Sequence, residues 1–195
     1  MGSDYSKNRK LKQRKVSSKV QPSEPSHSVV ISEVSRGLSE SNNVANYITD
    51  KQKELVLETW KIVQCNMARV GVVMFMNLFE THPDVRDVFM PFRGLATEDM
   101  KQNSRLISHA FRVMGTVEKC LARINEPRRL EDMLKNLGAR HVMYNAKVDY
   151  IDLIGPQFIL AIKPEVGDHW SLEVEEAWSD LFKLITHIMK AAMAF

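Results

Sequence analysis

PRRLEDMLKNLGARHVMYNAKV, residues Pro127 to Val148, decides how the rest of the chain is read. Leu130, Leu134 and Leu137 recur at helical spacing, and His141 falls four residues after Leu137, so its imidazole continues an apolar stripe instead of facing water. A ring so placed needs a partner for its nitrogens, and a hydrogen bond, a carboxylate or a metal would each serve. Taken alone, the stretch reads as a core histidine satisfied by its own fold.

The neighbouring segments supply a second such histidine. Thr97-Glu98-Asp99 reads as the cap and acidic first turn of a long helix to about Leu121, with Leu106, His109/Ala110, Val113, Val117 and Leu121 inward and Arg112 beside Val113. After His141, a loop around Asn145 leads into a helical run from about Asp149 to Lys163, where Gly155-Pro156 predicts a kink or a local loss of hydrogen bonds. Ser171 caps a last amphipathic helix with Ala177, Trp178, Leu181, Phe182, Ile185, Ile188 and Met189 inward.

Upstream, Thr49 and Gln52 form a capping box before Leu55, Val56, Thr59, Trp60 and Val63, which share one helix face. The segment Met67 to Thr81 is apolar around most of its circumference, as in a helix buried by several neighbours. Gly71 within it costs about 1 kcal/mol against alanine and makes sense where another helix passes closely. His82-Pro83-Asp84 then redirects the chain toward an aromatic corner of Phe89, Pro91 and Phe92. No segment requires a strand, so the expected class is all-α.

Of the 195 residues, 44% are hydrophobic, enough for one core, and eight glycines and seven prolines are too few for a turn-rich all-β fold. No apolar run approaches the roughly 20 residues of a membrane span, and the start lacks the apolar segment of a secretory signal, which points to the cytosol. Cys65 and Cys120 make neither a disulfide framework nor a zinc site and are expected as two free thiols. Seven of the 27 Lys/Arg residues fall in residues 1–19 against one acid, Asp4, leaving 20 basic and 23 acidic residues for the rest. The basicity therefore belongs to the tail and gives no support for a nucleic-acid-binding face. Residues 1–48, rich in serine, lysine and asparagine, are expected to be a disordered basic tail before a domain spanning 49–195, with Val29-Val30-Ile31 as its one short apolar run. Met1-Gly2-Ser3-Asp4-Tyr5-Ser6 fits N-myristoylation at Gly2, and the polybasic run behind it would supply the second, electrostatic signal that one acyl chain needs.

Two histidines in apolar rows, with no carboxylate at nearby helical spacing, do not make a hydrolytic site, and G-x-S-x-G, H-E-x-x-H and a Gly-rich phosphate loop are missing from the sequence. An apolar slot with one imidazole on each wall suits haem b: a neutral imidazole ligates iron, apolar walls take the porphyrin plane, and rim cations meet its propionates.

HPDVRDVFMPF, then HAFRV and LGARH in that order, with thirty-two residues between His109 and His141 and AWSDLF near the end, resembles the globin family over about Ile48 to Phe195. The spacing and the long N-terminal extension look most like globin X, a membrane-associated, neuroglobin-like branch. The resemblance implies a three-over-three helical sandwich around haem b. It implies His141 as the proximal iron ligand, replacing the core-histidine reading, and His109 as the distal one. Phe89 would stack on the porphyrin, Val113 would limit ligand access, and Phe92, Leu137, Val148 and Ile151 would complete the wall. Arg112, and with less support Arg140, would reach the propionates, and Gly71 would be where the second helix crosses the distal helix near Ala110. One departure is Ser3, where doubly acylated members carry cysteine. The implied function is reversible binding of O2, CO or NO, with iron held by both histidines when ligand-free, in electron transfer or gas sensing on the cytoplasmic side of an anionic membrane, with a reductase as partner. NO dioxygenase, nitrite reductase and oxygen storage are the alternatives, and no dedicated enzyme is expected.

Overall fold

A computed structural model describes residues 47–89 and 97–194. The tail reading, Gly2, Pro91 and Phe92 lie outside the described residues. Among those described there is no strand. The described residues form eight α-helices: α1 (Asp50–Val63), α2 (Met67–Thr81), α3 (Pro83–Val88), α4 (Thr97–Lys101), α5 (Ser104–Leu121), α6 (Pro127–Met143), α7 (Ile154–Val166) and α8 (Leu172–Met193).

The helix starts follow local chemistry. Thr49 accepts a hydrogen bond from the Gln52 amide at 3.2 Å while the Gln52 side chain accepts from the Thr49 amide at 2.9 Å, closing the expected box. Ser171 accepts from the Val174 amide, and prolines open α3 and α6 where a missing N–H costs nothing. Tyr47 and Ile48 belong with the folded part, since Ile48 is buried and Tyr47 stacks on His187.

Two expectations are corrected. The helix expected from Thr97 to Leu121 is two helices, because Asn103 turns the chain and its side-chain oxygen accepts from the amides of Arg105 and Leu106. Asn103, not Thr97, therefore caps the helix that carries His109. Gly155-Pro156 does not kink a continuous helix: Val148–Leu153 is a 3-10 turn and α7 begins only at Ile154, so Pro156 lies in a first turn whose amides lack intrahelical partners anyway. The proline inside α7 is Pro164, near its end.

Helices α1, α5 and α6 lie over α2, α7 and α8: α6 packs on α8, α5 crosses α2, and α2 packs on α7. At the first two contacts a missing side chain sets the approach. A Cβ on Gly71 would lie 2.9 Å from Met114 Cγ and 3.1 Å from Ala110 Cβ, as the crossing expected there requires. A Cβ on Gly138 would lie 2.4 Å from the carbonyl oxygen of Met189. Between the layers, Trp178 donates from Nε1 to Thr59 Oγ1 at 3.0 Å and packs on Trp60 and Phe158, so its one polar atom is satisfied within the core. Asp50–Thr81 is, against expectation, long and apolar enough to cross a bilayer by length and composition. Half of its most apolar window is nonetheless buried in the fold, and a 3-10 turn at Gln64–Asn66 divides it, as suits a pair of core helices.

Candidate functional site

The two histidines come together. His109 on α5 is half-buried between aromatic rings, 5.0 Å from Phe75 and 5.5 Å from Phe89 between centroids. Burial, with the charges of Arg112 and His141 nearby, lowers its pKa to about 4, so the ring is neutral at neutral pH and a nitrogen lone pair is available.

His141 lies one turn from the end of α6, with Nδ1 2.8 Å from the Leu137 carbonyl oxygen. A carbonyl can only accept, so Nδ1 carries the proton and donates it, which fixes the tautomer and leaves the Nε2 lone pair free. A backbone acceptor behind one ring nitrogen is the arrangement that orients an imidazole toward a metal and raises its basicity. After His141 the helix stops: the Tyr144 and Ala146 amides donate to the His141 carbonyl, and Asn145 turns the chain at φ 57°.

Apolar residues left half-exposed line the space around the histidines. Phe89, at the end of α3, packs edge-on against Phe75 and Phe79, and Val113, Leu137 and Ile151 pack on the core from α5, α6 and the 3-10 turn. Val148 opens that turn and is also half-buried. Arg112 and Arg140 are exposed beside their histidines. Of the expected site residues, Val113 lies on α5 with His109, Leu137 on α6 with His141, Phe89 at the end of α3, and Val148 and Ile151 in the 3-10 turn. Phe75 is a contact the sequence reading missed: α2 is apolar all round, so its periodicity does not single out the ring that meets His109.

Among the described residues no group of three or more His, Cys, Asp or Glu side chains could hold a metal ion. A neutral His109 and a His141 oriented by its backbone bond cannot complete a coordination sphere alone, but they fit a planar ligand that brings its own equatorial nitrogens and an apolar rim. The donor set and the walls therefore fit haem.

Comparison with known proteins agrees. The globin family profile matches residues 72–189. Neuroglobin-2 of Oncorhynchus mykiss is 24% identical over 148 residues, covering 75% of this chain and 93% of that protein. Cytoglobin-2 of Danio rerio is 26% identical over 147 residues, 74% of this chain and 82% of that protein, and an anaerobic nitrite reductase of Gossypium hirsutum is 26% identical over 148 residues, 74% and 90% respectively. The crystal structure of a hexacoordinated haem protein from an anhydrobiotic tardigrade superposes with a TM-score of 0.72 at 17% identity, over 76% of this chain and 96% of that one. The match over more than half of the chain, joined to the helical fold of the described residues, establishes that this chain belongs to the globin family and takes haem as its cofactor.

Proposed function

We propose that this is a membrane-tethered globin of the globin X type, in which His141 and His109 both ligate the haem iron until a gas displaces His109. When bound, haem supplies an iron that takes O2, CO or NO as a reversible ligand. The reading is carried by one observation: His141 has its Nδ1 proton committed to Leu137 while His109, across the slot, is held neutral. His109 therefore offers a lone pair without first losing a proton, and with Nδ1 engaged by the backbone, Nε2 is the nitrogen of His141 left for iron. His141 is the fixed partner because its backbone bond orients it. His109, lacking such a bond among those described, is the one that leaves, and the apparent gas affinity falls by the fraction of protein in which it has left. Phe89, Phe92, Val113, Leu137, Val148 and Ile151 form the walls, and Arg112 and Arg140 meet the propionates. The likeness to a neuroglobin and to a haem protein described as hexacoordinated supports this reading.

The test is the visible spectrum of the ferrous, ligand-free protein, with His109→Val and His141→Ala alongside. The parent gives the sharp paired bands of six-coordinate iron, His109→Val gives one broad five-coordinate band, and His141→Ala binds haem weakly. A broad five-coordinate band in the parent would overturn the two-histidine state.

The polybasic run behind Gly2 supports a site on the cytoplasmic face of an anionic membrane, and redox exchange with a reductase or gas sensing there is the role that would suit a doubly ligated iron. Recovery with membranes is lost in Gly2→Ala, and equal soluble recovery of both forms would refute the tether. A second reading, nitrite reduction, is favoured by the cotton relative's name. Nitrite turnover with a physiological reductant separates it from the first.

A further inference from the structure

We infer that Tyr150, Asp84 and Lys147 form a clamp that holds the wall residues Val148 and Ile151 against the helix presenting Phe89, making Tyr150 a positioning residue for haem. Tyr150 Oη donates to Asp84 Oδ2 at 2.8 Å, and Lys147 Nζ donates to the same hydroxyl oxygen at 3.2 Å while lying 5.0 Å from the Tyr150 ring centroid. The bond joins segments far apart in sequence. Asp84 sits in the first turn of α3, whose far end is capped by Phe89, whereas Tyr150 sits in the 3-10 turn after His141. The polar and apolar side chains of that turn have separate tasks. Tyr150 reaches α3 and Lys147 supports its hydroxyl, while Val148 and Ile151 are half-buried neighbours, Ile151 packed on the core.

The segment from Tyr144 to Lys147 contains no helix, and its left-handed residue, Asn145, is the turn by which α6 hands the chain on. With no anchor at Tyr150, a shift of this corner would move Val148 and Ile151 together and draw the end of α6, with His141, after them. The Tyr150 hydroxyl is well suited as the anchor because its bond to a carboxylate is charge-assisted and that carboxyl is held ionised, the Tyr150 bond itself lowering the Asp84 pKa. The inference rests on the haem reading above for what the slot holds, but the clamp is a property of the chain alone.

The experiment uses the full-length haem-loaded chain and measures haem loss to an excess of apomyoglobin, with amide hydrogen exchange of the haem-free chain as a second readout. Tyr150→Phe, which keeps the ring and removes only the hydroxyl, loses haem about fivefold faster, and residues 147–153 exchange faster in its haem-free form. Asp84→Ala gives the same change, the double variant gives no more than either single, and Asp84→Asn, which still accepts a hydrogen bond but without the charge, falls between the parent and Asp84→Ala. Unchanged haem loss and exchange in Tyr150→Phe, or effects that multiply in the double variant, would overturn the clamp. Failure of the haem reading would look different: the parent itself would not bind haem through His141.

Discussion

At the scale of single residues, two glycines differ in how much a methyl group would cost. A Cβ on Gly71 meets Met114 Cγ at 2.9 Å and both Cβ and the carbonyl oxygen of Ala110 at 3.1 Å, so Met114 must shift and α5 must give by a few tenths of an ångström, which the gain of about 1 kcal/mol of helix propensity partly offsets. A Cβ on Gly138 meets the Met189 carbonyl at 2.4 Å, which cannot move without α8. Gly138→Ala is therefore expected to destabilise by about 2–3 kcal/mol and Gly71→Ala by less than about 1 kcal/mol. Urea denaturation checks this, as a lower midpoint at unchanged slope, and equal midpoints for the two variants would contradict it. Gly71 was legible in the sequence because it interrupts a strongly apolar helix. Gly138 was not, because a glycine among LKNLGAR looks like a tolerated surface position until the partner helix is known to cross there.

At the scale of elements, capping chemistry was the most legible part of the sequence. Thr49, Pro83, Pro127 and Ser171 each start the helix they were read to start, because a side-chain oxygen or a missing N–H acts within four residues of itself. The break at Asn103 escaped notice because Thr97-Glu98-Asp99 and Asn103 are both acceptable caps, and only packing decides that the main helix begins at the second. The junction of α7 and α8 carries a prediction of its own. Glu175 accepts from Trp170 Nε1 and from Lys163 Nζ, each at 3.1 Å, and these bonds, the Trp170 one first, hold its pKa below the ordinary glutamate value. A lowered folded-state pKa means that the contribution is fully present above the unfolded value near 4.5 and is lost as the pH falls below it through the folded value. In Trp170→Phe the largest cause is gone, so the Glu175 carboxyl titrates closer to 4.5 by NMR and that part of the acid sensitivity weakens; an unchanged titration would exclude the indole as the main cause.

At the scale of the molecule, the half-buried wall residues Phe89, Val113, Leu137, Val148 and Ile151 leave apolar surface around the slot that a planar apolar ligand would cover. Haem binds the native state and not the unfolded chain, so loading stabilises by mass action, by about 4 kcal/mol at a thousandfold excess over the dissociation constant. The thermal midpoint then rises with haem concentration, and His141→Ala blunts that rise. A midpoint independent of haem would count against the slot as its site. The fold class and both histidines were legible because helical periodicity and motif order are local in sequence. The Tyr150–Asp84 bond was not, since nothing local connects residues brought together only by the fold.

The seat of Gly138 on the Met189 carbonyl also bears on synthesis. The helix carrying His141 is complete once Met143 is made, yet the surface it rests on is α8, the last of the described helices, and α1 packs on the same helix. A nascent chain emerges N-terminal end first, so until α8 has cleared the ribosome neither α1 nor α6 has its main support. Haem capture is accordingly expected only after α8 has emerged, and a nascent chain lacking α8 would carry His141 on a helix without the scaffold that aims it.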